Sequence, residues 1–326
     1  MMWWTLRQQR GQTRFGVAVA TLGVGGLLVT GLLAHAYHNA ASCVPSNCAQ
    51  LAQTLQQHYG GIVGIIGPLM LVAPLMVGMF WGAPLIAREL ESGTFRLAWT
   101  QDVSRRKWLA WKVGSAAALS VAVVGALSAA VTWWAGPLDA VVGDSRFAYF
   151  DTRGAAPVGY ALFALAVGTA AGLLTKRTVP AMVITIITFT TVRLTVYNFV
   201  RPHITAAVRL SGRIAPAGKM LDVPTPSTPP GAWFLTSTTV DNAGHVLATN
   251  GFGPQNLATP CHLATNSSDL AGFAACANRL GVHTVVQYQP AGHYWETQAL
   301  ETGLFAALAV LLFTACLRRI SRDATP

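Results

Sequence analysis

The feature that most constrains this chain is an uninterrupted stretch from Phe15 to Ala87 that contains no Asp, Glu, Lys or Arg. Of all 326 residues, 10% are charged and 52% are hydrophobic. Soluble domains carry roughly 25% charged residues. A membrane-spanning helix needs about 20 consecutive, mostly apolar residues, and the chain offers such windows repeatedly. The composition therefore predicts a polytopic membrane protein.

Hydropathy predicts an all-α membrane protein with six transmembrane helices. Their predicted limits are 16–36, 62–83, 113–135, 157–175, 179–200 and 298–317. The first follows basic residues, as in a signal peptide, but it exceeds the apolar core of roughly 7–15 residues that such peptides have. A retained helix is the better interpretation. The expected domains are 1–200 with helices one to five and a charged cytoplasmic segment at 84–112, an external loop domain at 201–297, and helix six with a cytoplasmic tail at 298–326.

The distribution of basic residues predicts that both termini are cytoplasmic. Lys and Arg are enriched in the cytoplasmic connections of membrane proteins. With the N-terminus inside, most of the Lys and Arg residues fall in the inner connections, although the outer connections are much longer. The predicted location is a bacterial cytoplasmic membrane, crossed several times.

Cysteine positions agree with this orientation. Cys43, Cys48, Cys261 and Cys276 all fall outside in the predicted topology, and disulfides form in oxidising compartments. The simplest of the three pairings joins Cys43 to Cys48 and Cys261 to Cys276. The alternative is four unpaired thiols.

The long connection at 201–297 predicts a small mixed external domain. Its sequence DLAGFAACANRL, residues 269–280, has the pattern of a helix, and Gly281 can end that helix. The following HTVVQY, residues 283–288, has the composition of a β-strand.

Motifs for catalysis are absent from the sequence. It contains no GxxxxGK[ST] phosphate loop, no HExxH, no GxSxG and no paired-cysteine zinc pattern. His35 and His38 are spaced as possible ligands, but no carboxylate or third ligand lies near them in sequence. The basic residues do not form one solvated face, as a nucleic-acid partner would require. The sequence therefore predicts no enzyme, no metal site, no cofactor on this chain and no nucleic-acid partner.

The segment 84–112, between spans two and three, concentrates charge in a chain that otherwise avoids it. The sequence APLIAREL predicts that span two continues as a helix until Gly93 breaks it, and Asp102 or Ser104 can cap the next helix. Lys112 is expected to snorkel towards the interface. A loop that only fixes membrane orientation would account for the basic residues. It would not account for the acidic pair Glu89 and Glu91, which instead suggests docking into a partner's groove.

The motif RELESGT followed by LAWTQDVSRRKWLAWK, residues 88–94 and 97–112, resembles the segment between helices two and three of ABC type-2 transporter permeases. That family has an acidic pair, a Gly-Thr, and then a Thr-(Pro)-Val-Ser-Arg element, in which Gln101-Asp102 stands here in place of the usual Pro. The six-span pattern and the external segment VVQYQPAGHYWETQALETG, residues 285–303, resemble actinobacterial permeases of this class.

This resemblance implies a permease of an ATP-driven exporter. Its partners would be a separate ABC ATPase subunit that carries ATP and Mg, a second permease in a homodimer or heterodimer, and membrane lipids. The exported substrate would be hydrophobic or amphiphilic. The implied ATPase-coupling residues are Arg88, Glu89, Glu91, Gly93, Thr94, Arg96, Ser104 and Arg105. The alternative is a membrane receptor or assembly protein with an external ligand-binding domain and no transport activity.

Ionisable and hydroxyl side chains inside the predicted spans are candidates for a transport path or gate. Arg193 lies within span five and either snorkels outward or pairs with Glu301 in span six. Thr185 and Thr188 fall close to one face of span five. Helix packing is the alternative role for these two threonines.

Overall fold

The computed structural model describes residues 10–40, 48–93, 104–137, 139, 146–213, 228–250, 254–262 and 270–322. Six helical segments in these ranges are long and apolar enough to cross a membrane. They are Gly16–Ala36, Gly64–Ser92, Arg105–Trp134, Arg146–Thr175, Thr178–Ile204 and Ala291–Ile320. The predicted fold class, six transmembrane helices with a small mixed region between the last two, is confirmed. The cytoplasmic location of the termini stays a prediction.

Several spans are built from more than one helical segment. Span one lies in α1 (Arg10–Ala40). Span two comprises the later part of α2 (Cys48–Met76), a π-helix (Val77–Gly82) and α3 (Ala83–Ser92). Span three is α4 (Arg105–Trp134), and span four comprises a 3-10 helix (Arg146–Thr152) and α5 (Ala156–Thr175). The fifth comprises α6 (Thr178–Thr195), a second π-helix (Val196–Val200) and α7 (Arg201–Ile204). The sixth comprises a 3-10 helix (Ala291–His293) and α10 (Tyr294–Arg322).

Span two is irregular in its middle because α2 contains Pro68 and Pro74. A proline inside a helix removes one backbone donor and its ring clashes with the preceding turn, which favours a kink. The π-helix Val77–Gly82 begins three residues after Pro74 and leads directly into α3. Single π-turns inside α-helices are frequent at functional sites.

The chain divides into two compact units. The first contains Met1–Gly143, Tyr149–Arg201 and Trp295–Pro326 and holds the bulk of the membrane-spanning helices. Its largest core cluster includes Trp81, Leu85, Leu109 and Leu165, contributed by the first π-helix, α3, α4 and α5. The second unit contains Asp144–Ala148 and Pro202–Tyr294.

Glycines bring α5 into backbone contact with span two. A Cβ atom added at Gly168 would overlap the Gly78 carbonyl oxygen and would lie 2.7 Å from the Ala83 nitrogen. One turn further along α5, a Cβ at Gly172 would lie 2.7 Å from the Ala83 carbonyl oxygen. The two helices can approach this closely only because these positions carry no side chain.

The second unit contains a four-stranded antiparallel sheet and two helices. The strands are β1 (Val208–Arg213), β2 (Trp233–Val240), β3 (Val246–Thr249) and β4 (His283–Gln289), in the spatial order β1-β4-β2-β3. The helices are α8 (Pro254–Cys261) and α9 (Leu270–Leu280). Gly281 follows α9 with a φ of 61°, which confirms the predicted helix end, and HTVVQY lies in β4.

A disulfide joins α8 to α9 in this unit. Cys261 and Cys276 are bonded, with their Cα atoms 6.0 Å apart, as predicted from the sequence. The predicted partner of Cys48 is Cys43, which lies outside the described residues, so that pair stays a prediction. A disulfide is consistent with an oxidising environment for this unit.

Candidate functional sites

The end of span two presents an exposed cation next to a buried face. In α3 the side chains of Leu85, Ile86 and Ala87 are buried, whereas Arg88 is exposed. The helix ends at Gly93, whose φ of 72° lies in the left-handed region that glycine adopts readily. This is the helix that the sequence predicted to continue beyond the membrane.

Glu89 forms a buried ion pair with Lys112 at the start of span three. The Lys112 ammonium donates to Glu89 Oε1, and the two side chains are 4% and 13% exposed. Lys112 Nζ also lies 4.7 Å from the centre of the Trp108 ring. The Lys112 ammonium therefore has a carboxylate and an aromatic face as partners within the chain, and its snorkelling to the membrane interface stays a prediction.

Glu91 caps the first turn of span five. Its Oε2 accepts hydrogen bonds from the Thr178 backbone nitrogen at 3.2 Å and from the Thr178 hydroxyl at 2.9 Å. The preceding residue, Arg177, makes no side-chain cap. A carboxylate is favourable at a helix N-terminus because backbone donors there lack partners and the helix dipole is positive. The acidic pair thus has binding partners within the chain.

The remaining coupling residues predicted from the motif lie on both sides of an undescribed stretch. Ser104 caps α4 by accepting a hydrogen bond from the Lys107 nitrogen at 3.4 Å, and Arg105 is partly exposed. Thr94 and Arg96 lie outside the described residues.

A second site of charge is a buried ionic cluster at the other end of the spans. Its centre is Arg201, the first residue of α7, whose side chain is 3% exposed. Arg201 Nε and Nη2 donate to the two carboxylate oxygens of Glu301 at 2.8 and 2.9 Å. Nη1 and Nη2 donate to the two oxygens of Asp151 at 3.2 and 2.5 Å. The Arg201 guanidinium therefore makes bidentate hydrogen bonds to two carboxylates.

Tyr160 of α5 completes this cluster. Its hydroxyl lies 2.6 Å from Glu301 Oε1 and 2.9 Å from Asp151 Oδ1. The cluster thus connects the 3-10 helix before α5, α5 itself, α7 and α10. Such a network is stabilising only when all of its members are paired, because each isolated charge would be costly to bury.

Of the two alternatives for Arg193, the pair with Glu301 is not formed, and outward snorkelling stays a prediction. Arg193 Nη2 lies 3.6 Å from Asp151 Oδ1, and its guanidinium stands over the Tyr160 ring at 4.5 Å. The cation beside Glu301 is Arg201. The sequence suggested the wrong arginine because hydropathy placed Arg201 just outside span five, whereas the helix continues through it to Ile204.

Arg193 also contacts the proline-containing part of span two. Its Nη1 donates to the Leu71 carbonyl oxygen at 2.8 Å, and Leu71 lies three residues before Pro74. Proline disturbs the carbonyl groups of the turn before it, and side chains of neighbouring helices can satisfy them. Arg193 therefore links the ionic cluster to the irregular middle of span two.

Gln298 fixes the backbone beside the cluster. Its Oε1 accepts from the nitrogens of Ala155 and Ala156 at 3.0 and 2.7 Å, and its Nε2 donates to the carbonyls of Phe150 and Arg153 at 2.9 and 3.1 Å. All of its polar atoms are paired although the side chain is fully buried. Gln298 thereby holds the corner before α5, where Asp151 lies, against α10.

The threonines predicted for a transport path differ in exposure. Thr185 is buried, and its hydroxyl donates to the Ala181 carbonyl in its own helix at 2.7 Å. Thr188 is half-buried. Further along the same helix, Thr191, Thr195 and Asn198 are exposed.

Sequence reasoning missed Asp151, Tyr160 and Arg201 as members of one site. Asp151 and Arg201 are oppositely charged residues just beyond the predicted outer ends of spans four and five, which is the one signal that pointed to them. No spacing rule indicates that those ends meet. Among the described residues, no group of three or more His, Cys, Asp or Glu side chains could hold a metal ion.

Comparison with known families identifies the class of the chain. Residues 16–201 match the family described as ABC-2 membrane transporter related. The chain therefore belongs to this family, whose description is that of a membrane component of ABC transporters. Comparisons with curated proteins and with solved structures gave no match.

Proposed function

We propose that this chain is the permease subunit of an ATP-driven exporter in a bacterial cytoplasmic membrane. The observation that carries the proposal is the family match over 16–201, which covers the first four spans, most of the fifth and the charged segment at 84–112. The sequence has no phosphate loop, so a separate ABC ATPase would bind ATP and Mg and supply the energy.

The docking surface for that ATPase is the end of α3 and the segment after it. Because Glu89 and Glu91 have partners inside the chain, the exposed Arg88 is the residue of α3 best suited to contact another subunit. Thr94, Arg96, Ser104 and Arg105 complete the proposed surface.

The proposal includes an orientation, supported by charge and by the disulfide, and an assembly. Both termini would be cytoplasmic because Lys and Arg concentrate on that side. The Cys261–Cys276 disulfide supports an external location for the second unit. Two permeases, identical or different, would form the complete pathway within the lipid bilayer.

The substrate is proposed to be hydrophobic or amphiphilic. The exposed side of span five combines hydroxyl and amide groups at Thr191, Thr195 and Asn198 with large apolar side chains such as Leu194 and Phe199. A surface of this mixed character suits an amphiphile. These exposed residues are better candidates for the path than Thr185, which is buried and bonded within its helix.

Replacing Arg88 by Glu is expected to weaken association with the ABC ATPase that co-purifies with the wild-type chain by at least about tenfold. Like charges across an interface cost several kcal/mol, and about 1.4 kcal/mol corresponds to tenfold in affinity. The measurement is the amount of ATPase that co-purifies with the tagged chain. Arg319→Glu reverses another exposed cation, near the end of α10, and serves as the matched control. Equal recovery with wild type, Arg88→Glu and Arg319→Glu would contradict the docking assignment.

A further inference from the structure

Helix α3 contacts three other spans, through residues at both of its ends. Glu89 is paired with Lys112 of span three, and Glu91 caps span five at Thr178. The backbone of Ala83 lies against α5 at Gly168 and Gly172. A displacement of α3 would therefore act on spans three, four and five together.

The span-two helix can bend just before this attachment. The first π-helix, Val77–Gly82, separates α3 from α2, and the Ala83 nitrogen donates to the Gly78 carbonyl in the π pattern. Two prolines lie in α2 before it. Prolines and π-turns are places where helices change direction. α3 is thus joined to its neighbours just after a segment of span two where the helical hydrogen-bond pattern changes.

We propose that Glu89 and Glu91 are positioning residues that transmit a displacement of α3 to spans three and five, rather than contacts with the ATPase. The proposal rests on the proposed function, because the ATPase must displace α3. The Glu89–Lys112 ion pair would move span three. The Glu91 cap would move the N-terminal end of span five. Further along, the same span carries Arg193 and the exposed Thr191 and Thr195.

The geometry favours transmission over docking for physical reasons. Glu89 already has a cationic partner in this chain, so an ATPase residue that drew its carboxylate away would leave the buried Lys112 uncompensated, which is unfavourable. Glu91 is exposed, but its Oε2 already accepts two hydrogen bonds from the end of span five. Each carboxylate directly connects α3 to another helix. A displacement of either helix would therefore be transmitted to the other.

The test measures nucleotide-dependent distances in the complex of the full-length chain with the ATPase that co-purifies with it. Spin labels are introduced as non-canonical amino acids at exposed positions, so that the native cysteines remain. The labelled positions are Ser92 in α3, Ala110 in α4 and Val179 in α6, each paired with Val310 in α10. Distances are compared without nucleotide and with the ATP-bound state trapped.

In the wild-type chain all three distances are expected to change with nucleotide. Glu91→Ala, which removes the acceptor of both Thr178 hydrogen bonds, is expected to abolish at least half of the change at Val179 while the change at Ser92 remains. Glu89→Gln, which neutralises one side of the ion pair, is expected to do the same at Ala110. Glu296→Ala and Glu296→Gln, which change an exposed glutamate elsewhere, should leave all three changes intact. If Glu91→Ala does not fold, Thr178→Val removes the hydroxyl from the same contact.

The outcomes separate this proposal from the one on which it rests. If Ser92 shows no nucleotide response in the wild-type chain, or no ATPase co-purifies, the proposed function fails. If Ser92 responds, and Ala110 and Val179 respond equally in wild type and variants, transmission through Glu89 and Glu91 is overturned. A merely structural role would lower thermal stability but leave the distance changes of the folded variants unaltered. That result also counts against the proposal.

Discussion

Replacing Arg201 by Met is expected to lower the free energy of unfolding by about 3–5 kcal/mol, the cost of removing one partner from a buried ionic network. The reason is geometric. Arg201 makes two hydrogen bonds to each of Asp151 and Glu301, so its loss leaves two carboxylates close to each other on either side of the Tyr160 hydroxyl. The measurement is denaturant unfolding of the purified chain in mixed micelles, followed by tryptophan fluorescence.

Two companion variants show whether charge compensation is the cause. Arg201→Lys keeps the positive charge but cannot make bidentate hydrogen bonds to both carboxylates. We therefore expect an intermediate decrease in the free energy of unfolding. Arg201→Met combined with Glu301→Gln removes one charge of each sign, leaves Arg193 beside Asp151, and should recover much of the wild-type stability. If the single Arg201→Met variant unfolds like the wild type, the cluster does not hold these spans together.

Replacing Gly168 by Ala is expected to destabilise the chain by roughly 1–3 kcal/mol, the usual cost of overpacking a close-packed site. The new methyl group would overlap the Gly78 carbonyl and crowd the Ala83 nitrogen, and both are backbone atoms that cannot turn away as a flexible side chain would. The same unfolding measurement applies. We also expect the contact between α5 and α3 to become looser in this variant.

Gly114→Ala is the matched control for this effect. Gly114 is an exposed helical glycine in α4 with nothing within 4 Å of an added Cβ. There the substitution should be neutral or stabilising by about 0.5–1 kcal/mol, since alanine favours a helix over glycine. Equal changes at Gly168 and Gly114 would show that helix propensity, and not close packing, determines the result.

The sequence was a good guide to the parts of the fold that depend on hydropathy and local chemistry. All six spans lie where apolar runs of sufficient length occur, because the bilayer sets that length. Gly93 and Gly281 end their helices, and Cys261 pairs with Cys276. Each of these features is specified within a few neighbouring residues or by one covalent bond.

Features that depend on the packing of distant spans could not be read in the same way. Glu89 and Lys112 are 23 positions apart, and Arg201 and Glu301 are 100 apart. No periodicity in the sequence indicates which helix ends come together. One of the two alternatives paired Arg193 with Glu301 because both fall within predicted spans, whereas the better-placed Arg201 fell one residue beyond a predicted boundary. A shift of that size in a helix end changed the assignment of the ion pair.

Coupling of this chain to ATP hydrolysis on a separate subunit is tested by the hydrolysis rate of the ABC ATPase that co-purifies with the chain, measured in liposomes with and without the chain. We expect a severalfold higher rate with the wild-type chain, and a return to the rate of the ATPase alone with Arg88→Glu. Coupling would be ruled out by an identical rate in the presence and absence of the wild-type chain.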